Sequence, residues 1–218
     1  MAKSSSHRGL THLDGVLYLQ RQRMPSRVRS VPRLLAVTGF ALLAAACNDT
    51  SGLPAAGFPN VVDTVSLYAL SRTPIQSPSA YRLTGTRTVV RTDQTSQFDF
   101  AFDFDAATGR PVLKPTGALG LGNSSALQRT TAAFDSIKTA PTGGWVFDSA
   151  LVADSGAVLL VRSRPTTCYT QITVSLYAKL EVLAVDTSSA PGGRRIDFRI
   201  LVDENCAYRS LEPGLPKR

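Results

Sequence analysis

Residues 97–105 read QFDFAFDFD. Phe98, Phe100, Phe102 and Phe104 occupy alternate positions, with Asp99, Ala101, Asp103 and Asp105 between them. Side chains alternate across a β-strand, so this pattern predicts one strand with an aromatic face toward a core and an acidic face toward water. ATGRP (107–111) follows as a turn. A short return strand is expected at 112–114, and the flanking Pro111 and Pro115 suit a sheet edge.

The pattern outward from this hairpin stays β. VVDTVSLYAL (61–70) and TRTVVRT (86–92) are rich in β-branched residues, and 145–148 and AVLLVR (157–162) each follow a Gly-containing turn. Residues 171–185 and 195–203 form a long hairpin around SAPGG (189–193). With its turn near Ala190, Val182 faces Phe198, Leu180 faces Ile200 and Ala178 faces Val202, all on one apolar face. The same register sets Glu181 opposite Arg199 on the other face. Residues 125–140 (SALQRTTAAFDSIKTA) fit a strand followed by a helical turn. The hexapeptide TVSLYA occurs twice, at 64–69 and 173–178; similar burial explains the echo more simply than a duplicated half-domain. The expected fold is all-β, a single antiparallel β-sandwich with at most one short helix; an open β-barrel is the alternative.

The chain has 218 residues, 43% of them apolar and 18% charged, which fits one domain with a sizeable core. Its net charge of +8 is concentrated at the N-terminus, where seven basic residues and one acidic residue precede Cys47. Without that segment the charges nearly balance, so no nucleic-acid partner is expected.

Residues 24–47 read MPSRVRSVPRLLAVTGFALLAAAC. Arg27, Arg29 and Arg33 precede an apolar run at 34–43, too short for a bilayer span, and three alanines then lead to Cys47. This resembles the signal of bacterial lipoproteins, with Leu43-Ala44-Ala45-Ala46-Cys47 as the lipobox and Ala44 where Leu is usual. The resemblance implies cleavage before Cys47, lipidation of that residue and a membrane partner reached through the anchor. Asn48 rather than Asp after the cysteine implies the outer membrane of a bacterial envelope. The expected divisions are 1–23 as a mis-called extension upstream of Met24, 24–46 as signal peptide, 47–57 as anchor and flexible tether, and 58–218 as the β domain. Hairpins at 158–163, 177–182 and 196–200 are faintly similar to those of secreted haem-binding lipoproteins. That family ligates haem through histidine, and His7 and His12 both precede Cys47, so the haem function does not carry over.

The missing histidines also argue against a Ser-His-Asp triad and His-ligated metal chemistry after Cys47, and no cofactor is expected. Cys168 and Cys206 are left as an even pair, expected to form a disulfide that closes the mouth of the last hairpin. A straight strand holds them too far apart, so a bend near 170–173 or a return of the 203–205 loop is required. Asp99, Asp103 and Asp105 are the candidate acidic cluster. Two of them on one strand face, about 7 Å apart, are within the range of hydrolytic carboxylate pairs. Asp103-Phe-Asp105-Ala-Ala-Thr-Gly109 lacks the third ligand of a calcium loop, and a solvated face whose charges discourage edge pairing is the simpler reading. GALGLG (117–122) reads as a loop. Trp145, Tyr169, Tyr177 and Tyr208 are candidates for a glycan or peptide platform. Lys179, Arg194, Arg195 and Arg199 give the last hairpin a basic outer face, interspersed with Glu181 and Asp197. The expected role is non-catalytic binding or assembly with an envelope protein or glycan. The alternatives are an Asp-dependent hydrolase and a purely structural or adhesive component.

Overall fold

The computed structural model describes residues 54–168 and 172–217. The expected signal peptide and Cys47 lie outside the described residues, as does Tyr169. Twelve strands follow in order: β1 (Val62–Tyr68), β2 (Ala80–Arg82), β3 (Thr88–Val90), β4 (Phe100–Phe104), β5 (Pro111–Pro115), β6 (Ala126–Thr130), β7 (Leu151–Val152), β8 (Val158–Arg162), β9 (Thr166–Cys168), β10 (Ile172–Val174), β11 (Tyr177–Asp186) and β12 (Arg195–Asp203). Residues 117–119 and 134–136 are single 3-10 turns.

Two five-stranded antiparallel sheets form the sandwich, ordered β1-β12-β11-β8-β6 and β3-β2-β4-β5-β7, with β9 and β10 as a separate small hairpin. The sheets do not close into a barrel. Leu67, Leu159, Val161, Leu180, Ile196, Phe198 and Ile200 of the first sheet meet Tyr81, Phe100, Phe102, Phe104 and Leu113 of the second. Phe198 lies 6.0 Å from Phe100 and 6.3 Å from Tyr81, ring centre to ring centre, which stitches the two inner faces together.

The last hairpin has the expected register. Val182 pairs with Phe198, Leu180 with Ile200, Ala178 with Val202 and Glu181 with Arg199, whose Nε donates to Oε2 at 2.6 Å. A bulge between Val182 and Ala184 shifts the turn end by one residue. The expected strand from 171 to 185 is two elements. β10 turns back on β9, pairing Ile172 with Cys168, and β11 starts afresh at Tyr177. That reversal is the bend the cysteines require: Cys168 and Cys206 are disulfide-bonded, with Cα atoms 5.9 Å apart. The TVSLYA echo falls on the continuous β1 and across the break between β10 and β11, two unlike settings.

The strand that organises the sequence is buried on both faces. Phe100, Phe102 and Phe104 face the main core as expected, but Phe98 does not join them. The strand starts at Phe100, the chain bends at Asp99, and Phe98 packs with Ala80 and Ala101 beneath Leu70, Val90 and Leu119. The face expected to meet water is thus covered by the loop after β1 and by the 117–119 turn. β5 is an inner strand rather than an edge, since β7 pairs with Val112 and Leu113 between its two prolines. Residues 145–148 give a single bridge, Val146 with Leu127, and not a strand.

The outer face of the first sheet is covered too. Phe134, Ile137, Ala140, Val158, Leu160, Leu201 and Leu211 form a second apolar cluster, with Trp145 and Tyr177 against it. Lys179 belongs to this layer and not to an exposed basic face. It is only 2% exposed, and its Nζ donates to the carbonyls of Phe134 and Ile137 at 2.8 and 2.9 Å and lies over the Phe134 ring. Burial pulls the Lys179 ammonium below the usual lysine value.

Candidate functional site

The three aspartates of the acidic cluster do not act together. Asp99, just before β4, is fully buried. Its Oδ2 accepts from Leu83 N at 2.6 Å and its Oδ1 from Arg164 N at 2.7 Å, with Arg164 Nε 3.5 Å away. Its own carbonyl accepts from Ser125 Oγ. Burial pushes the Asp99 carboxyl above its ordinary value, against these donors, which pull it down. Both oxygens are committed to holding the segment after β2 and the segment after β8 together. Asp99 is therefore an internal tie, not a solvated charge and not an acid or base open to a substrate.

Asp105 caps the β4–β5 turn, accepting from Thr108 N and Thr108 Oγ1 at 2.8 Å each. Those bonds, the hydroxyl's first, hold its carboxyl below the usual range. Among the described residues, no three His, Cys, Asp or Glu side chains gather as a metal site.

Asp103 leads to the arrangement with most chemical promise. It is 8% exposed, and Lys114 Nζ lies 3.1 Å from its Oδ2. Ser71 donates to its Oδ1 twice, from N at 3.1 Å and from Oγ at 2.6 Å. Burial works to raise this carboxyl, but the Ser71 hydroxyl and Lys114 outweigh it and hold it below the ordinary value. Ser71 in turn receives Arg194: Nε donates to Ser71 O at 3.1 Å and a terminal nitrogen to Ser71 Oγ at 3.2 Å. The Arg194 guanidinium lies 4.3 Å over the Phe104 ring. A chain of polar contacts thus runs Lys114–Asp103–Ser71–Arg194 and ends on an aromatic face.

Arg194 and Arg72 both have left-handed backbones, with φ of 54° and 61°. Such a conformation is uncommon for a side chain without glycine's freedom and concentrates at sites where geometry is constrained. Two grooves share these arginines. One, of about 430 Å³, runs between the loop after β1 and the β11–β12 turn, beside Tyr68, Thr73, Ser77 and Ser189. The other, of about 380 Å³, continues past Asp103, Phe104, Asp105 and Lys114. Gly193 closes the turn where an added Cβ would meet the Ser188 carbonyl, so no larger residue fits without moving the loop. Among the described residues, no carboxylate pairs with Arg72 or Arg194. Two guanidiniums with no carboxylate partner among the described residues, one of them positioned by its bonds to Ser71, can take a carboxylate or phosphate.

The opposite end of β12 carries the disulfide. There a groove of about 610 Å³ is lined by Phe58, Thr86, Arg87, Leu176, Glu204 and the bridged cysteines. Asn205 holds the incoming chain, accepting from Gly57 N and Phe58 N and donating to Phe58 O, and Tyr208 OH donates to Pro54 O. The last residues of the expected flexible tether are thus tied down. Three of the four aromatics expected as a platform are among the described residues. Trp145 and Tyr177 pack tilted at 5.8 Å on the outer cluster, while the buried Tyr208 serves the chain entry. No protein-family model matches the chain, and no curated protein matches it.

Of the groove residues, Asp103, Asp105 and Arg194 are visible in sequence, the last only as part of a basic strand. Arg72 and Ser71 carry no signal. Arginine is not the residue expected in a left-handed turn, and a loop serine is unremarkable until Asp103 and Arg194 converge on it.

Proposed function

We propose that this chain is a lipid-anchored protein of the bacterial outer membrane whose β-sandwich is a non-catalytic binding module for an anionic envelope ligand. A glycan bearing a carboxylate or phosphate fits best. The observation that carries this reading is the pair of arginines, Arg72 and Arg194, with left-handed backbone and no carboxylate partner among the described residues, which line two adjoining grooves. The hydroxyls of Thr73, Ser77 and Ser189 beside them suit a sugar's remaining polar groups. The anchor is supported by the lipobox-like segment ending at Cys47, and an extracytoplasmic setting by the Cys168–Cys206 bridge. A hydrolytic role is disfavoured, since Asp99 is sealed by backbone donors and Asp103 is bound to Lys114 and Ser71.

The test has two arms. Mass analysis of the mature protein should show acylation at Cys47, abolished in Cys47→Ser. Retention on immobilised oligogalacturonate, with a neutral oligosaccharide as control, should fall roughly 10- to 100-fold on Arg72→Ala/Arg194→Ala, as loss of charge-assisted bonds predicts. Equal retention of acidic and neutral sugars, or no change in the double variant, overturns the binding proposal. An unacylated wild-type protein overturns the anchor.

A further inference from the structure

Among the described residues, nine large apolar side chains are exposed, and five of them gather at the end where the chain enters the domain: Phe58, Val61, Val62, Ile172 and Leu215, with Phe58, Ile172 and Leu215 all more than half exposed. The fold explains the gathering. Asn60 bridges Gly214 antiparallel, which sets Leu215 opposite Pro59, next to Phe58, and Val62 begins β1 opposite Leu201. Ile172 pairs with Cys168, whose disulfide to Cys206 lines the same groove as Phe58. These contacts come from segments remote in sequence, so the patch exists only in the folded protein. An apolar cluster of this kind marks a surface that meets something other than water.

We infer that this end of the domain rests on the lipid surface that holds the anchor, with Phe58, Ile172 and Leu215 dipping into its interface. The inference rests on the proposed lipidation of Cys47. The length and fixing of the intervening chain set which end can reach the bilayer. Six residues separate Cys47 from Pro54, so seven steps along the chain, enough for about 25 Å fully extended and roughly 15 Å as a coil. Asn205 and Tyr208 clamp residues 54–58 at the disulfide end, so the tether cannot lengthen by peeling away without losing four hydrogen bonds. The arginine cleft lies at the other end of β12, whose nine residues span about 26 Å. The end carrying the apolar side chains is therefore the one held within a short tether's reach of the bilayer. An acyl anchor supplies most of the affinity, and a few interfacial apolar side chains then fix orientation.

The experiment uses the full lipidated protein in phosphatidylcholine vesicles. Because the native cysteines are bridged or acylated, Phe58→Cys, Leu215→Cys and Leu183→Cys each add one free thiol for an environment-sensitive fluorophore. Leu183 sits in the exposed bulge of β11 near the arginine end and serves as the water-facing reference. The labels at 58 and 215 should be blue-shifted, protected several-fold from aqueous iodide relative to 183, and quenched by a lipid-borne nitroxide. Equal iodide quenching at all three sites, with acyl mass present, overturns the docking and leaves the anchor standing. Protection from iodide without nitroxide quenching also overturns it, because a protein then covers the patch. Absence of acyl mass overturns both.

Discussion

Replacing Asp99 with asparagine tests whether one buried carboxylate ties the two sheets together. The substitution conserves shape and leaves no cavity, so packing is unchanged. What changes is the polarity of one atom. Both carboxylate oxygens accept backbone N–H bonds, from Leu83 at 2.6 Å and Arg164 at 2.7 Å. An amide has one oxygen and one NH2, so in either orientation a donor faces a donor inside the protein. That leaves one backbone N–H and one amide N–H unsatisfied, at about 1–3 kcal/mol each, and removes the ion pair with Arg164. The expected loss is about 3 kcal/mol, a large part of the roughly 5–15 kcal/mol that stabilises a typical domain. For a domain of this size that corresponds to a fall in Tm of roughly 6–12 °C. Reversible urea or thermal unfolding followed by circular dichroism measures it, with Asp105→Asn as the matched control on an exposed turn. If Asp99→Asn costs less than about 1 kcal/mol, the same as an ordinary surface change, Asp99 is not a tie between the sheets.

Three further outcomes are expected. Cys168→Ser/Cys206→Ser opens a loop of 38 residues and should lower stability by about 4 kcal/mol on the chain-entropy account, with no free thiols in the unreduced wild type; two free thiols in that sample would refute the bridge. Lys179→Met removes both bonds to the 134–137 turn and should cost about 2 kcal/mol in urea unfolding. Because burial lowers the folded pKa of Lys179 below 10.5, the unfolded chain binds its proton more tightly; wild-type stability should therefore gain from this group as pH rises from the lowered value to 10.5, and the methionine variant should lack that gain. Asp103→Asn should weaken binding to an acidic sugar by loosening Ser71 and Arg194, and Ser71→Ala should do the same; unchanged binding in both variants would refute the positioning chain.

The parts of this fold legible in sequence are those where two patterns constrain one answer. The β11–β12 register follows because the apolar pairs and the Glu181–Arg199 pair agree, and a one-residue slip would break both. The disulfide follows because only two cysteines are left after Cys47. What escapes is burial imposed by remote segments. An acidic face alternating with phenylalanine looks solvated until the loop after β1 and the 117–119 turn cover it, and nothing within 97–105 encodes those partners. β2 has three residues, too few for a period, and the strand expected from 171 to 185 breaks where no glycine or proline marks a turn. The arginine cleft is hidden for a related reason. Its geometry depends on two left-handed residues of a type that does not announce that conformation, and on Asp103, which local pattern alone assigns to water.

The direction of β1 has a mechanical consequence. The strand starts beside the clamped chain entry at Asn60 and ends at the loop bearing Ser71 and Arg72, so tension between the proposed ligand in the cleft and the proposed anchor at Cys47 would load it along its own axis. Its seven residue pairs with β12 are then sheared in parallel, sharing the tension, instead of being unzipped one after another. Rupture under force is governed by the rate of crossing that barrier and not by equilibrium stability. The same domain tugged perpendicular to β1 would yield at far lower tension, giving the molecule a strong axis between its surface and whatever it holds.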